Sequence, residues 1–337
     1  MLPIAKQVRT LTGLDPQALP DDVLRSTQPL VLKGLVSEWP VVKAAQQSGP
    51  AAAQYVRSFY RGAAVEAFFG APKFGGRFFY NDDLTGFNFH PERLTLEAVL
   101  DEIDRHAPEA QPPGIYVGST TLETCLPGFR AHNDVELGDR DPLASVWIGN
   151  RTRIAAHYDA PDNLACVAAG HRRFTLFPPE ELKNLYVGPL DLTPAGQPIS
   201  LVDFANPDLG KFPKFADALK NAQLAELEPG DAIFIPSMWW HHVEALDSFN
   251  VLVNYWWKQT PDYMDPAMNA LMMAIMCVRD LPPAQRKAWA NIFDHYVFEA
   301  DGETAAHIPP RARRMLGPMD DTATRMLRAH LQKKMNR

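Results

Sequence analysis

The middle of the chain reads His157-Tyr158-Asp159, and a second histidine-bearing stretch follows at Ile235-Pro236-Ser237-Met238-Trp239-Trp240-His241-His242-Val243. In an extended strand, side chains two residues apart point to the same face, so His157 and Asp159 are predicted to bind one ion together. A later strand brings a third ligand, His241. Two imidazoles and one carboxylate leave the opposite face of a metal open, as in non-haem Fe(II) sites. The pattern therefore predicts an iron centre.

The surroundings of both motifs favour this interpretation over chance. A bare His-x-Asp is common, and a single histidine near Trp and Val is more often a core residue. Here an apolar run at 164–169, typical of a buried strand, follows the first motif. A turn at 228–231 and a short apolar strand at 232–235 precede the second. Both sets of predicted ligands therefore lie on or beside core strands.

Bulk composition limits the class of protein. A length of 337 residues and a hydrophobic content of 46% allow one large β domain with additions, or two domains. A formal net charge of −7 disfavours an extended nucleic-acid surface. Three scattered cysteines are too few for a disulfide framework or a zinc cluster. Because residues 1–15 lack an apolar signal core and no run approaches a membrane span, we expect a soluble cytoplasmic protein without a membrane partner.

Proline content and turn spacing predict a mainly β fold with helical decorations. The 30 prolines are close to twice the average usage of about 5%. Many short strands separated by turns favour a barrel or sandwich. We expect three segments: a mixed α/β segment at 1–113 that packs on the barrel, a strand-rich core at 114–258, and a helical region at 259–337.

The core strands are predicted at 115–117, 145–148, 157–159, 164–169, 172–177, 232–235, 239–243 and 250–256, interrupted by a helical insertion at 213–221. Helices are predicted at 265–278, 283–296 and 321–334. The stretch 270–276 is apolar nearly all round. Such helices are buried, so we expect this one to pack on the barrel or on a second subunit. A homodimer through the C-terminal helices is a hypothesis.

Further motifs accompany the predicted ligands in a fixed order. They are Asn163, Gly170-His171-Arg172-Arg173, Leu176-Phe177-Pro178-Pro179, Val202-Asp203-Phe204-Ala205-Asn206-Pro207-Asp208, Phe212-Pro213-Lys214-Phe215, Pro229-Gly230-Asp231, Trp239-Trp240-His241-His242-Val243-Glu244 and Val253-Asn254-Tyr255-Trp256. With His157-Tyr158-Asp159, this set resembles the JmjC, cupin-8-like branch of the 2-oxoglutarate oxygenases over residues 115–258. Within that branch it is most similar to the asparaginyl hydroxylase that inhibits hypoxia-inducible factor.

The resemblance implies a double-stranded β-helix (jelly-roll, cupin) barrel around Fe(II), with 2-oxoglutarate as co-substrate and molecular oxygen as oxidant. His157, Asp159 and His241 would be the iron ligands and catalytic centre. The implied reaction hydroxylates a C–H bond of a protein side chain or small molecule and releases succinate and carbon dioxide. His241 is preferred over His242 because the family's ligand follows the Trp pair directly. Strand alternation agrees, since inward His241 places His242 outward.

The resemblance also implies a co-substrate site. By the resemblance, Arg172 stands where similar members of that branch carry a lysine, and its guanidinium can bind the distal carboxylate through two hydrogen bonds. Asn163, Asn254 and Tyr116 match polar positions that hold the co-substrate. An asparagine in the apolar strand at 250–256 is costly unless it is hydrogen-bonded, which supports a partner for Asn254. The sequence departs from the family at Ile154, where close relatives have a threonine.

Two alternatives stay open at this level. One is a metal-dependent cupin enzyme that does not use 2-oxoglutarate, and the other is a non-catalytic barrel that binds a metal or a peptide. Trp147, Trp256 and Trp257 are interpreted as pocket or core walls without a chemical role. A Gly/Pro-rich segment at 187–197 is predicted to form a lip over the mouth of the barrel. The substrate is expected to be a protein, a peptide or a small molecule.

Overall fold

The computed structural model describes residues 2–336. The chain divides into two compact units, one that ends at Gln259 and one that begins at Thr260. Among the described residues, no helix is long and apolar enough to cross a membrane. Every strand among residues 2–336 lies in the first unit, and the described part of the second unit is helical.

The strands are β1 (Lys6–Gln7), β2 (Arg9–Thr12), β3 (Leu30–Lys33), β4 (Ala64–Gly70), β5 (Arg77–Phe78), β6 (Phe89–Thr95), β7 (Gly114–Thr121), β8 (Leu143–Gly149), β9 (Arg153–His157), β10 (Asp162–Ala169), β11 (Arg172–Phe177), β12 (Gln223–Leu227), β13 (Ala232–Ile235), β14 (Trp240–Ala245) and β15 (Asn250–Trp257). The α-helices are α1 (Asp21–Leu24), α2 (Pro40–Gln47), α3 (Gly49–Phe59), α4 (Leu96–His106), α5 (Leu122–Cys125), α6 (Phe215–Asn221), α7 (Ala267–Cys277), α8 (Pro283–Phe293) and α9 (Asp321–Met335).

Two sheets form the barrel. The smaller sheet has the order β1-β12-β11-β14-β9-β5, and the larger has the order β2-β3-β13-β10-β15-β8-β7-β4-β6. Successive strands from β8 to β15 are divided between the two sheets, and all pairings among them are antiparallel. This is the jelly-roll arrangement. The predicted fold class, a mainly β jelly-roll with C-terminal helices, is confirmed.

Apolar alternation explains how the sheets pack. Between them lies a small core to which both contribute, for example Phe174 and Leu176 from β11 and Ile233 and Ile235 from β13. The opposite face of the larger sheet packs on α2, α3 and α4 in the largest core. Thr95 caps the start of helix α4, because its hydroxyl accepts a hydrogen bond from the Ala98 N–H.

The first 113 residues extend both sheets. The strand β3 pairs with β13 of the core, and β4 pairs with β7 and with the edge strand β6. The short strand β5 runs parallel to β9 and pairs Arg77 with Arg153. These added strands lengthen the larger sheet, and β4 and β6 place Glu66, Phe68 and Phe89 along its cavity.

The predicted strand at 157–159 is wrong in its second half. The strand β9 ends at His157, and Asp159 lies in the loop that crosses to β10 in the other sheet. Pro161 in this loop cannot donate a backbone hydrogen bond. A tertiary contact fixes the loop, because the Asp159 carbonyl accepts a hydrogen bond from the Met238 N–H at 2.8 Å.

Burial of the apolar stretch at 270–276 is also wrong for the single chain. It lies on α7, where no described residue is buried, and Leu271, Met272 and Met276 are 44%, 47% and 64% exposed. In the described part of the second unit, Ala305 is the one buried residue. The helices of this unit therefore present most of their apolar side chains to solvent.

Candidate metal centre

The predicted metal ligands come together. One nitrogen each from His157 and His241 and one carboxylate oxygen of Asp159 lie within 4.8 Å of one another. His157 at the end of β9 is directly opposite His241 on β14, and their ring centroids are 4.3 Å apart. The His241 Nε2 atom lies 3.6 Å from the Asp159 Oδ2 atom. The three side chains surround a space suited to one ion.

Hydrogen bonds on the far side of each imidazole orient it toward this space. The Nδ1 atom of His157 is 2.9 Å from the Ala155 carbonyl oxygen, and that of His241 is 2.9 Å from the Trp239 carbonyl oxygen. A carbonyl only accepts, so each Nδ1 carries the proton and each Nε2 keeps its lone pair. Burial, reinforced by the neighbouring His157, lowers the pKa of His241 to about 4. His241 is therefore a neutral ligand at neutral pH.

Two side chains hold the Asp159 carboxylate. The Trp256 Nε1–H donates to its Oδ2 atom at 3.1 Å, and the Asn163 amide donates to the same oxygen at 3.4 Å. Partners of this kind fix the direction of a metal-binding carboxylate. Since Asp159 lies in a loop, these bonds supply the orientation that a strand would otherwise give.

A relay of amides extends inward from the carboxylate. The Asn254 amide donates to the Asn163 side-chain oxygen at 3.2 Å, and the Trp147 indole N–H donates to the Asn254 oxygen at 2.6 Å. Asn254 thus has the partner that its apolar strand requires. The relay places Trp147, Asn254 and Asn163 in fixed orientations along one wall of the cavity.

Arg172 lies at the inner end of the same cavity and is buried, with 4% of its surface exposed. Among residues 2–336 its side chain has no hydrogen-bond or ion-pair partner, and its Nε atom is buried without one. Burial lowers the pKa of Arg172 to about 10, and the nearby Tyr116 opposes that shift. The guanidinium is therefore charged at neutral pH and free to bind an anion.

The turn before β11 positions Arg172. Gly170 has a left-handed φ of 71°, and a Cβ atom there would lie 2.6 Å from the Phe249 carbonyl oxygen, so only glycine fits. Arg172 then faces inward with Phe174 and Leu176, while Arg173 faces outward and pairs with Glu226 at 2.7 Å.

Tyr116 and Ile154 complete the inner cavity. Tyr116 stacks on Trp147 with ring centroids 5.9 Å apart, and burial raises its pKa. Ile154 also lines the cavity, and its apolar side chain offers no hydroxyl there. All seven predicted site residues line one cavity: His157, Asp159, His241, Arg172, Asn163, Asn254 and Tyr116.

His242 faces away from this cavity. Its ring packs on Phe204 at 4.5 Å between centroids, and both of its ring nitrogens are buried without a hydrogen-bond partner. Burial and the charges of Arg153 and Arg77 lower its pKa to about 3. Strand alternation therefore separates the two histidines as expected.

A family model for the Cupin-like domain matches residues 16–263. The chain belongs to the Cupin-like domain family. Its relatives include the lysine-specific demethylase JMJ31 of Arabidopsis thaliana, which is 35% identical over 135 residues, or 38% of this chain. HSPB1-associated protein 1 of Homo sapiens is 31% identical over 168 residues, or 49% of the chain. The tRNA wybutosine-synthesizing protein 5 of Danio rerio is 33% identical over 150 residues, or 40% of the chain.

These matches span 24%, 32% and 43% of the three relatives, respectively. The three proteins have unlike names, so similarity to them identifies the cupin-like domain and leaves the substrate to be inferred from the site. The resemblance seen in the sequence to the JmjC, cupin-8-like branch is thus confirmed at the level of the family.

The cavity of this cupin-like barrel has a volume of about 420 Å³, within the range of small-molecule sites. Its outer half is aromatic, with Phe68 and Phe89 on the extended part of the larger sheet and Phe78 on β5 of the smaller sheet. The predicted lip also contributes, since Pro194 and Ala195 line the cavity.

The lip is closed at its base and held near its middle. A β-bridge joins Val187 to Ser200 at its base, and the Tyr80 hydroxyl donates to the Leu192 carbonyl at 2.5 Å. Leu192 packs on a small cluster formed by Tyr80, Ala155 and Ile199. The segment is therefore a wall of the cavity rather than a free loop.

Reasoning from the sequence missed the roles of two tryptophans and the outer residues. Trp256 and Trp147 were interpreted as walls, yet their indole N–H groups hold Asp159 and Asn254. A signal for Trp256 was present, because it lies two residues after Asn254 and so shares its face of β15. No local signal marked Glu66, since strand β4 joins the cavity only through sheet pairing.

Proposed function

We propose that this chain is an Fe(II)- and 2-oxoglutarate-dependent dioxygenase, a hydroxylase that acts on a C–H bond of a protein side chain or small molecule. The products besides the alcohol are succinate and carbon dioxide. Membership of the Cupin-like domain family and the His157, Asp159 and His241 set support an iron-dependent oxygenase. Use of 2-oxoglutarate is the finer part of the proposal.

One observation carries the choice of co-substrate. Arg172 is buried, charged and unpartnered among the described residues, and it shares the cavity with the three metal ligands. A buried charge without a counter-ion is costly, so its retention there favours an anionic ligand. A dicarboxylate with a keto group next to one carboxylate fits both the metal ligands and Arg172. Its keto and carboxylate oxygens suit Fe(II), and its other carboxylate suits the guanidinium.

The residues of the chain have separable tasks in this scheme. Bound iron supplies the oxygen chemistry, which couples decarboxylation of 2-oxoglutarate to hydroxylation. His157, Asp159 and His241 would hold the ion, and Trp256 and Asn163 keep the Asp159 carboxylate in place. Asn254 and Tyr116 line the path toward Arg172, and the tight aromatic walls exclude bulk water.

A spectroscopic titration tests this proposal. Fe(II)-loaded protein is titrated with 2-oxoglutarate without oxygen, and the visible metal-to-ligand charge-transfer band is recorded. We expect a band in the wild type, no band in His157→Ala, and a strongly right-shifted titration in Arg172→Met. Stoichiometric iron without any band would show that the barrel binds metal for another purpose. Such a result would favour the cupin enzyme that does not use 2-oxoglutarate.

The relatives' names do not agree on a substrate, and the motif resemblance to the asparaginyl hydroxylase favours a protein side chain. We propose a protein or peptide first and a small molecule second. Mass spectrometry of peptides incubated with the holoenzyme, iron, 2-oxoglutarate and air would detect a gain of one oxygen. Succinate formed in step with oxidised peptide supports the proposal, and succinate without any oxidised peptide would favour a small molecule.

We also propose a homodimer through the C-terminal helices. Within the second unit, thirteen large apolar side chains are exposed, including Phe298 at 75% and Met326 at 70%. Where exposed apolar side chains form one patch, they mark an interaction site. Light scattering should give twice the chain mass for the wild type and the single mass for Leu271→Glu combined with Met272→Glu. A monomeric wild type would contradict the dimer.

A further inference from the structure

Three acidic or basic side chains line the cavity besides its histidines. The proposed function assigns two of them, one to the metal and one to the co-substrate. Asp159 faces the metal and Arg172 faces the co-substrate. The third is Glu66 on β4, in the outer half of the cavity where the substrate must enter. This inference rests on the proposed function, which assigns the inner half to iron and co-substrate.

Glu66 is available for a ligand. Its side chain is exposed, and among residues 2–336 it takes part in no hydrogen bond or ion pair. Arg93 lies directly opposite on the edge strand β6. However, Arg93 does not line the cavity, and no ion pair joins the two. The Glu66 carboxylate thus lines the opening and makes no ion pair with Arg93 among the described residues.

The surroundings of Glu66 suit a cation with an apolar stem. Phe68 lies two residues further along the same face of β4, and its ring meets that of Phe89 edge to face at 5.5 Å between centroids. Aromatic faces attract ammonium and guanidinium groups, and they also pack against methylene chains. The neighbouring polar residues Ser119 and Thr120 are neutral.

The lip places no positive charge at the opening. The segment 187–197 contains one charged residue, Asp191, and no lysine or arginine. Asp191 is exposed and close enough to Tyr80 to contribute, after burial, to the raised pKa of that phenol. Among the described residues, no lysine or arginine lines the outer half of the cavity. A negatively charged substrate group would therefore meet repulsion without compensation.

We propose that the mouth of this cavity selects substrates that carry a positive charge, a lysine or arginine side chain or an equivalent amine, with Glu66 as the group that recognises it. The cation binds between the Glu66 carboxylate and the ring of Phe68. The carbon to be hydroxylated then reaches past Phe78 toward the metal. Glu66 is a specificity residue in this arrangement and takes no part in the chemistry.

Two mixtures of capped hexapeptides test this inference. Their variable positions hold only neutral residues, and one central position holds lysine in the first mixture and its neutral analogue norleucine in the second. Succinate formation is measured with the iron-loaded holoenzyme, and retention is measured by equilibrium dialysis without oxygen. Since Glu66 is exposed, we expect a preference for lysine of about fivefold, which falls as salt is added.

Matched variants decide whether Glu66 is responsible. Glu66→Gln should abolish the preference, and Arg93→Gln, its cross-strand neighbour, should keep it. Equal use of the two mixtures by the wild type, or a preference that survives in Glu66→Gln, would overturn the inference. Loss of the 2-oxoglutarate band would instead contradict the proposed function, and dialysis would still report whether lysine is preferred.

Discussion

Each face of the smaller sheet carries an arginine and a histidine, but the surroundings of these residues differ between the two faces. On its inner face, Arg172 and His241 point into the cavity, and the guanidinium has no partner among the described residues. On its outer face, Arg173 pairs with Glu226 and Glu244, and His242 packs on Phe204. Each pair consists of chain neighbours, so strand alternation alone separates them.

The contrast shows where polar groups serve stability and where they serve a ligand. Paired charges on the outer face are satisfied within the protein and exposed enough to add little energy. The unpartnered charge on the inner face opposes folding, which is why burial lowers the pKa of Arg172. Residues that cost stability in the free protein are expected at functional sites.

Metal binding should give the largest difference between the two faces. We expect His241→Ala to lose stoichiometric iron binding and all detectable succinate formation, because only two of the three protein ligands remain. His242→Phe should keep both, since its ring lies among apolar neighbours outside the cavity. Iron content by mass spectrometry and turnover of 2-oxoglutarate measure the effect. Equal iron loss in both variants, with both still folded, would break the comparison.

Co-substrate affinity should distinguish the two arginines next. Arg172→Met removes the cation that the buried carboxylate needs, and we expect the Kd for 2-oxoglutarate to rise by about 100-fold or more. Arg173→Met should leave that Kd unchanged. Arg172→Lys should fall between them, because it keeps the charge and loses the two-pronged geometry. The anaerobic charge-transfer titration supplies all three constants, and an effect of Arg173→Met equal to that of Arg172→Met would contradict the assignment.

Removing the Trp256 hydrogen bond to Asp159 should have an intermediate effect on iron affinity. Trp256→Phe removes the indole hydrogen bond to Asp159, and we expect iron affinity to fall by about 10- to 100-fold. Its neighbour Trp257 lies in the core against Phe234 and provides the matched control. Trp257→Phe should lower the melting temperature and leave iron affinity intact. Competition with a calibrated chelator measures the affinity.

The smallest expected effect is on the free energy of unfolding. Replacing the inner arginine and replacing the outer arginine should change it in opposite directions. Arg172→Met should raise the free energy of unfolding of the metal-free protein by about 1 kcal/mol or more, because a buried unpaired charge is replaced by an apolar side chain. Arg173→Met should lower it by less than about 1 kcal/mol, since the outer ion pairs are partly exposed. Urea unfolding at pH 7 tests both signs. A loss of stability in Arg172→Met would show that the guanidinium has a structural partner.

Much of the barrel could be predicted because its strands carry local signals. The apolar run that forms β10 and the turn before β13 are both visible in the sequence. His241 could be separated from His242 by alternation, which needs only the strand. The exposed surface of α7 could not be anticipated, because an apolar helix is equally consistent with a core and with an interface.

Residue order alone was enough to indicate the ligand types, their order along the chain and the faces of the strands that carry them, since these follow from local periodicity. Tertiary structure decided the rest. Asp159 lies in a loop rather than on the predicted strand, and it is held there by hydrogen bonds from Trp256 and Met238, which are distant in sequence. Glu66 reached the cavity through pairing of β4 with β7. Such contacts depend on which strands become neighbours, and no short stretch of sequence encodes that choice.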